Sequence, residues 1–350
     1  MTVPAYPVFD GHNDTLLRLF DADLKKQPAD FFAGIDTFHI DMPKAKKGRF
    51  AGGLFAMFTT NPEGESGALA GKPVMGAPIK RARAEHYTFG MMDKGDALVA
   101  DSKGAIRLCK TATEIRTAMA DGAMAMVYHI EGAEVIDTGL EALDTLYARG
   151  LRSVGIVWSR NNAFGYGVPF SFPGDPDYGE GLTRAGFDLV RACNRLGLMI
   201  DLSHLNEKGF WDVARTSDKP LVASHSNVHA LSASPRNLTD RQLDAIAESR
   251  GLVGLNFACG FLRPDGQHVS RGTTLDMAIR HLDRMIEKLG EDGVGIGSDF
   301  DGCTLPEEIG DASGLPRLVA AMARAGYGSE LIARITHRNW IGLLERTWGK

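Results

Sequence analysis

Short apolar runs rich in Val, Ile, Leu and Phe recur along the chain, and each stops at polar residues. Eight of them occur, at residues 7–11, 53–58, 123–130, 153–157, 198–203, 221–224, 252–257 and 294–298. Runs this short and this apolar fit parallel strands buried on both faces. Between the later ones, residues 181–196, 239–249 and 274–289 place apolar positions three and four apart, which fits amphipathic crossover helices. Strand and helix alternating eight times predict a (β/α)8 TIM-type barrel. No shift in composition marks a linker, so residues 1–350 are expected to form a single domain.

Two stretches exceed a minimal barrel. Residues 61–75 are rich in Gly and Pro and predict a long loop after the second strand, with a helix over 77–94. Residues 164–181 contain Pro169, Pro173, Gly174 and Pro176, so they cannot form one helix, and their place after the fourth strand puts them over the barrel mouth. Both are expected as long βα loops shaping a pocket on the C-terminal face. Residues 315–325 and 329–346 predict two closing helices.

Hydrophobic residues make up 44% of the chain and charged ones 24%, which suits a globular enzyme with a sizeable core. A net charge of -5 without clustered Lys and Arg argues against nucleic acid and for a small substrate. Cys109, Cys193, Cys259 and Cys303 lie far apart without metal-finger spacing and are expected as reduced thiols. The first nine residues lack the basic and apolar regions of a secretion signal, no apolar stretch reaches membrane-spanning length, and residues 343–350 are too polar for an anchor tail. Cytoplasmic residence away from any membrane is therefore the expectation.

In a barrel the reacting groups sit where strands end, and the residues ending these runs are unusually uniform. The first run leads into Phe9-Asp10-Gly11-His12-Asn13-Asp14. His12 and Asp14 are two apart, so an extended backbone turns both to one face, where imidazole and carboxylate can share an ion. That pair alone is as readily structural; its strand-end position strengthens it. The third run ends in His129-Ile130-Glu131-Gly132, where a carboxylate among apolar neighbours needs a counter-charge, and its two oxygens can bridge two cations. His129, on the same face, reads as a packing or supporting residue. The fifth and sixth runs end alike, in Asp201-Leu202-Ser203-His204 and Ala223-Ser224-His225, 21 residues apart from His to His. One strand-helix repeat between them places both imidazoles at the same height on adjacent strands. Asp201 is expected to orient a neighbour or to satisfy backbone donors. The eighth run gives Gly297-Ser298-Asp299-Phe300-Asp301-Gly302. Barrel closure sets Asp299 beside His12 and Asp14, where a carboxylate can carry a proton, whereas Asp301-Gly302 reads as a turn.

These motifs, GHND, IEG, DLSH, SHSN, SPRNL and GSDFDG in that order, resemble those of the membrane dipeptidase (renal dipeptidase) family of zinc metallopeptidases in the amidohydrolase superfamily. The resemblance spans nearly the whole chain, from Asp10 to Arg338-Asn339. It implies an amidohydrolase-like barrel with two Zn2+ ions: His12 and Asp14 on one, His204 and His225 on the other, and Glu131 bridging both. A metal-bridging hydroxide would attack the dipeptide carbonyl, Asp299 would relay the proton to the leaving amine, and Arg236 would pair with the substrate carboxylate through its guanidinium fork. Dipeptides with a D-residue at the carboxyl-terminal side fall within the implied range, and the resemblance also points to a homodimer.

One position departs from the pattern. After the fourth strand the renal-type enzymes carry a histidine in a Thr-His-Ser context; here the stretch is Val157-Trp158-Ser159-Arg160-Asn161-Asn162, with Trp158 at the histidine's place. An indole has one donor and does not titrate, so Asn161, Asn162 or Arg160 becomes the candidate donor to the oxyanion. Trp158 and Asn161 are accordingly expected to line the substrate pocket. The alternative reading is an N-acyl-amino-acid deacylase on the same metals, and a third is an inactive scaffold or binding protein. A phosphate-binding barrel is disfavoured because the glycines at 293–297 precede the strand end.

Overall fold

The computed structural model describes residues 6–62 and 75–349. Its strands are β1 (Val8–Asn13), β2 (Phe50–Phe58), β3 (Ile106–Leu108), β4 (Met124–Glu131), β5 (Leu151–Gly155), β6 (Met199–Asp201), β7 (Val222–Ala223), β8 (Leu252–Leu255) and β9 (Val294–Ile296). All pair in parallel. The ladder runs β1, β2, β4, β5, β6, β7, β8, β9 and returns to β1 where Asp10 faces Ile296, so eight strands close into a (β/α)8 barrel. Each of the eight apolar runs supplies one strand of this ring. β3 pairs with Met124 to Met126 of β4, below the stretch that β5 takes from Tyr128 onward, and stays outside the ring.

The expected crossover helices occupy Arg184–Leu196, Asp240–Glu248 and Leu275–Leu289. Thr183 caps the first of these by accepting from Gly186 N, and Thr239 forms a reciprocal cap with Gln242 on the second. The helix expected over 77–94 starts only at Arg81 and runs on to Asp101, with Lys80 still extended. The last segment is divided into helices Ser329–Ala333 and Asn339–Trp348 by a π-helical turn over Arg334–Arg338. Of the loop expected over 61–75, residues 63–74 lie outside the described residues. The 164–181 segment is irregular as expected and is tied over the mouth by Val168 N donating to His204 O at 2.8 Å.

The lower end of the barrel is closed by Trp340, whose fully buried indole donates to Ile296 O at 2.7 Å. Its ring lies where side chains of Gly11 and Gly295 would be: a Cβ on either would come within 2.3 and 2.5 Å of the indole. Two glycines on adjacent strands thus make the recess for one large ring. With polar strand ends above and this plug below, the ring opens toward one face.

His281, on the Leu275–Leu289 helix, joins two loops, accepting from Val228 N at Nδ1 (3.1 Å) and reaching Leu262 O from Nε2 (3.1 Å). Burial lowers its pKa from 6.5 to about 4. The unfolded chain takes up this proton near 6.5 and the folded one only near 4, so the stabilisation is complete above pH 6.5 and is lost as pH falls toward 4. Roughly 3 kcal/mol of unfolding free energy is at stake over that window. Urea titrations at pH 7 and 4.5 are expected to show a pH dependence shallower by about this amount in His281→Gln than in the parent; equal slopes would remove the assignment.

Candidate metal centre and active site

The polar residues that end the strands converge at the open end of the ring. His12 and Asp14 come from the end of β1, Glu131 ends β4, His204 follows β6, His225 follows β7 and Asp299 follows β9. His204 and Asp299 have positive φ, 68° and 60°, and Gly132 has 95°. Left-handed backbone at a residue that carries a Cβ costs about 1 kcal/mol, and here it turns the chain sharply where a side chain must enter the mouth.

Glu131 Oε1 lies 3.0 Å from His204 Nε2, 3.4 Å from His225 Nε2 and 3.9 Å from His12 Nε2, while His12 Nε2 lies 3.5 Å from Asp14 Oδ2. All five residues are at most 5% exposed. Ligand atoms of Glu131, His204 and His225 fall within 4.8 Å of one another, and so do those of His12, Asp14 and Asp299. Neither ring nitrogen of His12 has a hydrogen-bond partner among the described residues. Buried lone pairs and carboxylates facing one another, with orphaned nitrogens between them, fit cations that would satisfy them all.

The electrostatics agree with that fit. Burial pushes the Glu131 carboxyl up, helped by repulsion from Asp14 and Asp299 and opposed by His12 and Arg236. Burial works against a charged His12, but Glu131, Asp14 and Asp299 outweigh it and raise its pKa. Burial, with the nearby charges of Arg236 and His12, keeps His204 and His225 well below the usual imidazole range. The cluster therefore calls for positive charge at its centre, and its outer imidazoles stay neutral as metal ligands must.

Supporting contacts come from residues that the sequence reading did not select. Ser159 Oγ meets His204 Nδ1 at 2.8 Å, and Ser224 Oγ meets His225 Nδ1 at 2.8 Å. Asn256 donates from Nδ2 to Asp299 Oδ2 at 2.9 Å, and burial raises the Asp299 carboxyl above its ordinary range. Gly302 sits against both acids: a Cβ there would lie 2.1 Å from Asp14 Oδ2 and 2.6 Å from Asp299 Oδ1. The Ser-His step repeated at 203–204 and 224–225 was a visible signal for Ser224, but Ser159 reaches His204 from the neighbouring strand end and leaves no local trace.

Above the cluster opens a cavity of about 600 Å3. Phe58, Trp158, Phe170 and Phe261 line it on one side, and Arg18, His39 and Asp301 on the other. Trp158 packs at a tilt against a chain of rings, 4.8 Å from Phe58, 5.4 Å from Phe170 and 5.9 Å from His204. Asn161 does not join them; its side chain lines a separate depression of about 510 Å3 with Arg81 and Glu134. Arg160 pairs with Glu134 Oε1 at 2.6 Å, its Nη2 alone having no partner among the described residues, and Asn162 donates to Ile156 O at 2.8 Å; neither lines the cavity. Arg236 is 3% exposed, donates to His225 O at 3.1 Å and lies 5.3 Å above the Phe261 ring. Its Nε has no partner among the described residues. Burial pulls its pKa down while Asp299, Glu131 and Asp201 pull it back up.

A barrel whose strand ends gather buried imidazoles and carboxylates beneath an open cavity has the makings of a metal-dependent hydrolase. The sequence model of the membrane dipeptidase family, peptidase family M19, matches residues 3–347. The chain belongs to that family and is thereby a metallodipeptidase, a hydrolase of peptide bonds. It is similar to a metallopeptidase from Rhodobacter sphaeroides whose crystal structure carries a phosphinate mimic of the dipeptide L-Ala-D-Ala. That pair shares 49% identity with a TM-score of 0.93, over 99% of this chain and 100% of the other. An uncharacterized protein of the pqqA 5' region of Klebsiella pneumoniae is 50% identical over 72% of this chain and 92% of its own length. Dipeptidase tcpJ of Claviceps purpurea is 26% identical over 96% of this chain and 76% of its own length. Among the described residues no helix is long and apolar enough to cross a membrane, and the four cysteines are free.

Proposed function

We propose that this metallodipeptidase works with two divalent ions, zinc in the simplest reading, and hydrolyses free dipeptides, including those with a D-residue at the carboxyl-terminal side. The observation that carries the reading is Glu131, whose single oxygen approaches imidazoles from three strands while Asp14 and Asp299 stand alongside. His12 and Asp14 would hold one ion, His204 and His225 the other, and Glu131 would bridge them. Such ions supply a Lewis acid for the scissile carbonyl and lower the pKa of a water toward neutrality. Asp299, steadied by Asn256, takes a proton from the attacking water and returns it to the departing amine. Arg236 offers its unused donor to the free carboxylate of the dipeptide, and the Phe58, Trp158 and Phe170 rings exclude water from an apolar side chain. The acceptance of a D-residue draws on the Rhodobacter sphaeroides relative, which was crystallised with a mimic of L-Ala-D-Ala.

Arg236→Met is expected to raise KM for L-Ala-D-Ala about 100-fold, the cost of a lost charge-assisted pair, while bound zinc stays at the wild-type level. Unchanged KM would remove the carboxylate anchor and with it the free-dipeptide assignment. The aromatic wall favours a second reading, an N-acyl-amino-acid deacylase. Comparing kcat/KM for dipeptides and for N-acyl amino acids on the zinc-loaded enzyme separates the two.

A further inference from the structure

Asp201 lies beneath the metal centre, 1% exposed, and His225 reaches it only through Ser224. Oδ1 of Asp201 accepts from Ser203 N at 3.0 Å and Ser224 N at 2.7 Å, and Oδ2 accepts from Ser224 Oγ at 2.5 Å. His129 Nε2 stands 3.5 Å from the same Oδ2 on the far side. Although an oxygen of Asp201 comes within 4.8 Å of ligand atoms of His12 and His225, three donors already occupy its carboxylate.

The direction of these bonds has a chemical consequence. A serine hydroxyl has one hydrogen, and Ser224 gives it to Asp201. Toward His225 Nδ1, 2.8 Å away, Ser224 can then only accept, so Nδ1 must carry the ring proton. Nε2 is left with its lone pair, facing Glu131 Oε1 at 3.4 Å and His204 Nε2 at 3.3 Å. We propose that Asp201, acting through Ser224, fixes the tautomer of His225 and so holds its Nε2 lone pair toward the cation site. Asp201 and Ser224 are positioning residues. The inference rests on His225 being a metal ligand and makes no use of the substrate. His204 lacks the device: Ser159 Oγ, its partner, has no carboxylate acceptor among the described residues.

Two measurements test it. In metal-free protein labelled with 15N-histidine, long-range 1H–15N correlation spectra are expected to show His225 protonated at Nδ1, with the resonance assigned by its shift in Ser224→Ala. Asp201→Asn keeps the shape and reverses the polarity. With its oxygen on the two backbone donors, the new amide faces Ser224 and donates to it. The hydroxyl hydrogen then turns to Nδ1, and the ring proton moves to Nε2, where a cation must bind. Zn2+ affinity, by competition with a chromophoric chelator, is expected to fall 10- to 100-fold in Asp201→Asn and in Ser224→Ala. Thermal unfolding of the metal-free variants checks that they are folded.

An Nδ1 without a proton in the parent overturns the proposal, and so does wild-type zinc affinity in folded Asp201→Asn. If Asp201→Asn does not fold, the parent spectrum and Ser224→Ala decide alone. A parent that takes up no zinc overturns the metal reading itself, while a parent that binds zinc but cleaves no dipeptide overturns only the substrate assignment.

Discussion

Glu131→Gln is expected to lower kcat/KM for dipeptides by about 1000-fold or more and to leave less than the full complement of bound zinc. The substitution keeps the shape of the side chain but removes its charge and replaces one oxygen with a donor. In the parent, Oε1 lies 3.0 to 3.9 Å from three imidazole nitrogens, and among the described residues no other carboxylate approaches all three in this way. An amide nitrogen turned into that space would point hydrogens at a cation; an amide oxygen turned there would bring no charge to offset it. Either orientation weakens both halves at once, so zinc content and turnover should fall together. Metal analysis after gel filtration, paired with steady-state kinetics, checks this. Full zinc occupancy with near-normal turnover would rule out Glu131 as the bridge.

Gly302→Ala comes second in size, with an expected loss of about 100-fold in kcat/KM. Its Cβ would stand 2.1 Å from one carboxylate oxygen of Asp14 and 2.6 Å from one of Asp299. Neither acid can move freely, because Asp14 N is bonded to Phe300 O at 2.8 Å and Asp299 is held by Asn256 at 2.9 Å. Relief requires shifts of about 1 Å in groups that must be placed more closely than that for reaction. Overpacking adds about 1 to 3 kcal/mol of destabilisation. Gly328→Ala is the matched control, since nothing lies within 4 Å of a Cβ there and its φ of -70° suits alanine. Comparable activity in the two variants would sink the packing argument.

Much of this architecture was legible because burial on both faces leaves a strong mark: most ring strands are apolar runs leading to polar residues, and β5, with Arg152 and Ser153 inside it, shows it most weakly. β3 left no such mark, because a strand of three residues with Arg107 at its centre, paired to part of one neighbour, need not be apolar throughout. The division of the last helix was equally hidden, since a π turn over Arg334–Arg338 leaves the apolar spacing around it nearly unchanged. For the site, reading the residues at strand ends picked out His12, Asp14, Glu131, His204, His225 and Asp299, side chains that the fold brings together at the mouth. What could not be read were partners distant in sequence, such as Ser159 for His204 and Asn256 for Asp299, which barrel closure alone brings near. Asn161 shows the limit for loops. Past Trp158 the backbone folds back, Arg160 N bonding to Trp158 O at 2.7 Å, and successive side chains diverge, Trp158 into the cavity and Asn161 outside it. Pattern reading has no direction to assign once the strand's alternation ends.

The indole of Trp340 gives the barrel a schedule as well as a floor. The recess at Gly11 belongs to the first strand of the ring, and the indole that fills it stands more than three hundred residues later in the chain. Gly295 completes the recess only when β9 has been made, and the recess stays unfilled until the Trp340 ring enters it. Completion of the barrel is therefore a late event, after most of the chain has emerged, and nascent chains stalled before residue 340 should be the species that chaperones retain.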